Sequence, residues 1–452
     1  MHSQDDLEEA TIKQEEIPEK DLDTDMPMQW SNSKKYLQFA IVFLNAFLCY
    51  FSSSVYIPAL TTLEAIFNVD LTTINSTVSV FIVVTGVAPM IWSPLSERIG
   101  RKWTYLVSTA LYAVFSLITG FAVNLPMFYI FRILQGIACS AAVGVGGGTV
   151  ADIFEPAVRG KAMGIFLLGV IIGPAIGPLV GGFVNQYLGW RWIFFICAIL
   201  GAAVSVINVL FLKETLYRAP NDPLPTGLAR FKFNPFVSLK LLATWELLLA
   251  SFPQGIVFGW FYLLVTNLPV AFGEIYHFQS GTIGLLFLSS GIGNCIGSVI
   301  SGIICDMVYL RMKKSRGTAK PEYRLYAAYI GVPVALAGLL MYGWFLEART
   351  YPWIAPVVAM GIITFGQMFF MSVASTYVAE AYFPLSASAL SAVNFFRCLF
   401  AMVFSLISDT VRNGLGDGWT YTTGAILFVA SILLCLPILQ IYGERLRKAR
   451  LA

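Results

Sequence analysis

Two arginines stand where charge is costly. Arg132 lies in FRILQG with Gln135 and Gly136, and Arg397 lies in NFFR with Asn394; both sit inside runs otherwise free of charge. A guanidinium near mid-bilayer costs about 2.5 kcal/mol or more, so each must face protein or water. Either could donate to an organic group passing through, and either could instead donate to carbonyls of a neighbouring helix. Acids are placed differently: Asp152, Glu246 and Glu380 fall near the ends of apolar runs, where a solvated carboxylate is the simplest reading, and none falls mid-run. His2 and His277 lie outside the runs, so a buried His-dependent nucleophile or metal cluster is not available. A polytopic membrane enzyme is therefore the weaker reading, and neither cofactor nor metal is expected. The seven cysteines (49, 139, 197, 295, 305, 398, 435) show no paired spacing and read as small buried residues.

The elements that must carry these groups follow from composition. The chain has 452 residues, 57% hydrophobic and 12% charged, well below the charge of soluble domains. Twelve apolar runs, near 36–60, 77–95, 103–123, 127–149, 163–187, 192–212, 244–269, 281–305, 325–346, 353–377, 387–408 and 420–442, are each long enough to span a bilayer. Strand alternation is missing, so an all-α membrane protein of twelve transmembrane helices is expected. Of 29 Lys and Arg, only Arg191, Arg349 and Arg412 fall on one face of the membrane and Arg132 and Arg397 within it. The positive-inside rule then places both chain ends in the cytoplasm. Spread along one membrane face, the basic residues imply no nucleic-acid partner.

The spans divide six and six around a polar stretch containing KETLYRAPNDPLPTG. The expected organisation is a disordered acidic tail at 1–35, a six-helix bundle at 36–212, a linker at 213–243, a second bundle at 244–442 and a basic tail at 443–452. The halves echo each other. VADIFEP at Val150–Pro156 recurs as VAEAYFP at Val378–Pro384, and Gly189-Trp190 as Gly418-Trp419; SPLSER at Ser93–Arg98 has a degraded counterpart in GIICDM at Gly302–Met307, with Asp306 for Glu97. Duplicated halves about a central site are the architecture of secondary transporters that rock one half against the other. A conformational switch is expected from Glu97, Arg98, Arg101, Asp152, Asp306 and Glu380, with Arg101 and its neighbours pairing with Asp152 or Glu155. Glu97 could also rest on the positive end of span eleven.

GVIIGPAIGPLVGG, Gly169–Gly182, packs five glycines and two prolines into a span. Gly169, Gly173, Gly177 and Gly181 form a smooth stripe every four residues, and Pro174 and Pro178 each remove a helix hydrogen bond. Ser289, Gly293, Gly297 and Ser301 form a similar row in span eight.

SPLSERIGRK resembles the loop signature of the major facilitator superfamily, departing only at Ser93 where that family has glycine. FRILQG resembles its fourth-span R-x-x-Q-G. The glycine-proline stretch resembles the fifth-span signature of the proton-coupled antiporter branch, and GWRWIFF with K-E-T resembles the flanks of span six. With VAEAYFP and NFFR, the chain from Tyr36 to Gly443 is most similar to fungal twelve-span drug:proton antiporters. The resemblance implies two pseudo-symmetric six-helix bundles, with spans five and eight meeting between them as a sliding seam. It also implies a cavity lined by spans one, four, seven and ten. The substrate-binding candidates are then Asn45, Tyr50, Arg132, Gln135, Gln254, Trp260, Tyr262, Asn267 and Gln367, with Asn394 and Arg397 from span eleven.

An aromatic, mostly apolar cavity suits bulky amphipathic compounds. Two intramembrane cations and no central acid favour anionic or neutral cargo over strongly cationic drugs. The expected protein is a monomeric plasma-membrane antiporter exporting drugs, toxins or secondary metabolites and driven by the proton gradient, with no titratable acid assigned as the carrier. The alternative is a carrier for one endogenous metabolite such as an organic acid. Asn75-Ser76-Thr77 is a glycosylation sequon on the expected outer face, close to a span.

Overall fold

The computed structural model describes residues 26–216, 241–318, 320–382 and 386–451; the acidic tail to residue 25 and most of the linker lie outside them. Twelve helices are long and apolar enough to cross a membrane. In chain order they are α1 Asn32–Phe67, α2 Leu71–Ile99, α3 Arg101–Gly120, α4 Leu125–Ile153, α5 Gly169–Tyr187, α6 Trp190–Phe211, α7 Trp245–Tyr276, α8 Ser280–Arg316, α9 Pro321–Ala348, α10 Ile354–Ala381, α11 Ser388–Leu406 and α12 Ser408–Lys448. Among the described residues there is no strand.

Several helices outrun the apolar stretches that announce them, because polar residues close their ends. Asp70 accepts from the Thr73 amide, so α2 starts at Leu71 rather than near residue 77. Asn124 caps α4 in the same way through the Met127 amide. Pro58 falls in a 3-10 turn, Ile57–Ala59, that divides α1. α5 continues a helix from Pro156 straight through Pro174 and Pro178. Gly100 takes φ 101° between α2 and α3, and a Cβ there would strike the Glu214 carboxylate, so only glycine permits this turn. Near the Gly-Trp pair of the second half the positive φ falls at Gly416, at 76°, inside α12. The repeated Gly-Trp pair therefore does not do the same backbone work twice: Gly189 holds the positive φ, whereas Gly418 does not.

The halves pack by the same rule. α3 lies on α6 and α1 on α5; correspondingly α9 lies on α12 and α7 on α11. Between the halves, α2 meets α11 and α8 meets α5, the two contacts exchanging under the repeat. The end where the described chain enters α1 and leaves α12 is called proximal below, and the opposite end distal.

Candidate functional site

The seam between the bundles does use α5 and α8, but not the expected stripes. Cβ atoms added at Gly169, Gly173 and Gly177 would meet Phe43, Tyr50 and Phe51, and Ser54, and one at Gly181 the Val55 carbonyl, all on α1. On α8, Gly293 faces Gly361 and Thr364, Gly297 faces Phe365, and the Ser289 hydroxyl donates to the Val357 carbonyl at 2.7 Å, all on α10. Ser301 donates to Ser298 on its own helix. These stripes bring helices together inside each bundle. The inter-bundle contact lies partway round each helix: Ala175, Pro178 and Gly182 of α5 against Gly291, Gly284 and Gly281 of α8. α2 and α11 approach closely too, Gly86 lying against Cys398.

At the distal end the halves are tied by neutral hydrogen bonds. Asn185 Nδ2 donates to the Ser280 hydroxyl at 3.1 Å and to the Thr62 hydroxyl at 3.0 Å. Gln186 Nε2 donates to Gln279 Oε1, and Gln186 Oε1 accepts from the Gly281 amide. Asn75 Nδ2 donates to Ser408 Oγ at 3.2 Å. These hydrogen bonds between the halves gather at this end.

Behind that closure, a narrow hollow of about 20 Å³ lies where α1, α5, α7 and α8 converge. Its walls are Ser54 and Ile57, Pro174 and Ala175, Phe261, Tyr262 and Val265, and Phe287, Ser290, Gly291 and Asn294. Aromatic and aliphatic surface with a few polar groups is what an amphipathic organic molecule requires. A second hollow, between α3 and α6, is a mostly apolar groove lined by Ala110, Ala113 and Val206.

Most expected cavity residues lie elsewhere. Asn45 is buried inside the first bundle, exchanging hydrogen bonds with Asn208. Arg132 is 0% exposed. Its Nη1 donates to Gln135 Oε1 at 2.6 Å, and the rings of Tyr56 and Phe81 lie 4.2 and 4.1 Å from its guanidinium. Gln135 in turn donates to the Ser116 hydroxyl. This pair packs the bundle's interior and does not line the hollow, because aromatic faces shield the charge from lipid more effectively than an open cavity would. Gln254 bonds within α7 and accepts from Ser375 of α10. Trp260 packs at a tilt against Phe404, ring centres 4.8 Å apart. Asn267 donates to the Ser408 carbonyl, and the Gln367 amide to Met371 Sδ.

Tyr262 does line the hollow, and a polar cluster adjoins it. Arg397 Nη2 donates to Asn394 Oδ1 at 2.8 Å, and the guanidinium stands 5.1 Å from the Phe258 ring. Tyr50 of α1 and Tyr262 of α7 both lie within its electrostatic reach. Ser290 and Asn294 were missed by the sequence reading; Asn294, the one amide in the small-residue row GIGNCIG, was the available signal.

The proximal end carries the charge networks. Arg101 Nε donates to Asp152 Oδ2 at 3.2 Å. Glu214 of the K-E-T segment, given no role above, accepts from the Arg101 and Lys102 amides at 2.8 and 3.1 Å and so caps α3. In the second half Arg324 holds Asp306 and Glu380 together. It is the cation that the degraded repeat seemed to lack, supplied from the start of α9. Glu444, at the end of α12 as Glu214 is at the end of α6, pairs with Lys320 before α9. Arg98 and Glu97 share the α2 segment, with Glu97 exposed; residues 383–385, which lead into α11, lie outside those described, and so does the expected docking of Glu97. Glu246, expected at a solvated interface, is 1% exposed and accepts from the Tyr377 hydroxyl at 3.2 Å. Cys49 and Cys139 lie 3.3 Å apart although nothing in their spacing pairs them. Among the described residues no cluster of three metal-ligating side chains occurs.

Two six-helix bundles enclosing a hollow, tied at one end and bearing charge networks at the other, define an integral multi-pass membrane transporter. The sequence profile of the Major Facilitator Superfamily matches residues 42–406, and the chain belongs to that family. It is 32% identical to the MFS-type transporter hepF of Aspergillus oryzae over 93% of this chain and 92% of that protein. To the MFS transporter fsa7 of a Fusarium species it is 33% identical over 94% and 87%. The crystal structure of the human organic anion transporter MFSD10 (TETRAN) superposes with a TM-score of 0.64 at 18% identity, covering 89% of this chain and 99% of that one. A bacterial homologue of the human lysosomal transporter Spinster, inward-facing and unoccupied, superposes at 0.61 with 14% identity over 93% and 98%. At these identities the two structures establish the fold.

Proposed function

We propose that this protein is a proton-coupled antiporter that exports small organic compounds, such as drugs, toxins or secondary metabolites, across a fungal plasma membrane by alternating access. It works as a monomer, with both chain ends cytoplasmic and energy from the proton gradient. The observation that carries this reading is the hollow lined by both bundles and shut at its distal end by hydrogen bonds between them. Rocking about the α5–α8 and α2–α11 contacts breaks those neutral bonds and exposes the hollow distally, while the glycine-rich faces slide without interlocking large side chains. The lining, mostly apolar with hydroxyl and amide groups, supports organic rather than sugar cargo. The fungal relatives support the cellular setting.

The test is expression in a drug-sensitive yeast, with accumulation of a compound panel measured at several external pH values. Reduced accumulation that deepens as external pH falls is the expected result. Efflux indifferent to pH removes the antiport and leaves a transporter; unchanged accumulation of every compound removes export.

A further inference from the structure

The four guanidiniums of Arg101, Arg324, Arg412 and Arg447 each sit against a carboxylate, at 3.2, 2.5, 2.8 and 2.9 Å. The two within the spans do not: Arg132 and Arg397 form no ion pair with a described residue. Arg132 is sealed among Tyr56, Phe81 and Gln135 and reaches no ligand unless the first bundle opens. Arg397 differs in position. It belongs to α11, one residue before Cys398, which meets Gly86 of α2 between the bundles, and its guanidinium stands against Phe258 of α7. One neutral oxygen, Asn394 Oδ1, accepts from it, and its Nε is buried with no acceptor at all.

Its described contacts are a neutral amide and an aromatic ring. The guanidinium of Arg397 acts on both Tyr50 and Tyr262. Tyr50 is on the first bundle, Tyr262 and Arg397 on the second, and Tyr262 lines the hollow. A guanidinium with an unused N–H, beside two phenols and the Phe258 ring, is a donor set awaiting an acceptor that carries negative charge. An unpaired cation at this depth is unfavourable, and a visiting anion relieves that cost only while it is bound.

We infer that the cargo is an amphipathic organic anion, its charged head held between the bundles by Arg397 with Tyr50 and Tyr262 beside it, and its apolar body along Phe261 and Phe287 where the hollow widens as the bundles move. This rests on the export reading above and names the substrate class of that site. Because the donors come from both bundles, the bound anion bridges the halves and is released when they part.

The experiment is calorimetric binding to the detergent-purified full chain. Probes are naphthalene-2-sulfonate, permanently charged, and naphthalene-2-sulfonamide, its neutral counterpart of the same shape. A charge-assisted hydrogen bond supports a preference for the sulfonate of about tenfold or more, lost in Arg397→Gln. Equal affinity for the two probes, no binding of either, or a sulfonate preference that survives Arg397→Gln overturns the inference. Should Arg397→Gln fail to fold, Arg397→Lys decides. Sulfonate preference kept with a weaker Kd supports the site, because lysine keeps the charge and loses the fork; an unchanged Kd overturns it. Transport is read separately in the yeast assay on the wild-type chain, so a wild type without anion preference but with efflux intact removes this inference alone, and a wild type that exports no compound removes the export reading.

Discussion

Asn75 and Ser408, in opposite halves of the chain, share a hydrogen bond of 3.2 Å, and the amide that a glycosylation enzyme would have to reach is its donor. Asn75 is fully buried. The sequon should carry no glycan, so mobility on a gel should not change on treatment with a peptide N-glycosidase. Asn75→Ala should loosen distal closure by about 1 kcal/mol, the usual worth of one such bond. An introduced Cys at Thr62 should then react several-fold faster with an impermeant thiol reagent. Glycosylated protein, or unchanged reactivity, would show that the pairing does not hold the end shut.

Gly181 and Gly182 are adjacent and should fail in different ways. A Cβ at Gly181 meets the Val55 carbonyl within the first bundle, whereas one at Gly182 meets Ser280 across the interface. Gly181→Ala should lower the melting temperature of the purified protein, with overpacking that typically costs about 1–3 kcal/mol. Gly182→Ala should melt normally while distal thiol reactivity rises. Identical melting and identical reactivity in the two variants would contradict the assignment of faces.

Glu214 caps the start of α3 across the whole first half of the sequence. Glu214→Ala leaves two amides without this acceptor and should cost about 0.5–2 kcal/mol, while Glu214→Gln retains one acceptor and should cost less. Thermal melts rank the three proteins, and equal melting would remove the capping role.

Asp70, between α1 and α2, is held below its ordinary carboxylate range by the Thr73 hydroxyl, and the Thr73 amide adds to this. A depressed folded value means the cap's contribution is complete above the ordinary aspartate range, near pH 4, and is lost as pH falls through the depressed value. Asp70→Asn keeps an acceptor that does not titrate. Wild type and variant should melt with a constant difference from pH 7 to 5, and the difference should shift in the variant's favour below about pH 4. A constant difference at all pH values would exclude the linkage.

Much of this protein was settled along the chain. Apolar run length compelled helices, because no other backbone satisfies its own hydrogen bonds in lipid. VADIFEP and VAEAYFP announced the repeat, and Asp152 and Glu380 do occupy corresponding ion pairs. The glycine stripe of α5 correctly signalled close backbone approach, since small side chains permit nothing else so economically. Residue order along the runs showed that the middles of the spans would be rich in aromatics and free of acids.

What the chain order left open was the direction each helix face points. A four-residue stripe specifies that something comes close; whether α1 or α8 arrives depends on helix rotation, which is fixed by every neighbour at once. The same uncertainty moved Asn45, Gln254 and Trp260 from the expected cavity wall into bundle interiors, and brought Ser290 and Asn294 to the hollow. Arg132 and Arg397 look alike in sequence, each alone in an apolar span. Only the packing of α1, α2 and α6 around one, and the meeting of two bundles beside the other, separates a sealed charge from an available one, because local sequence encodes what a side chain can donate and tertiary contacts decide what it meets.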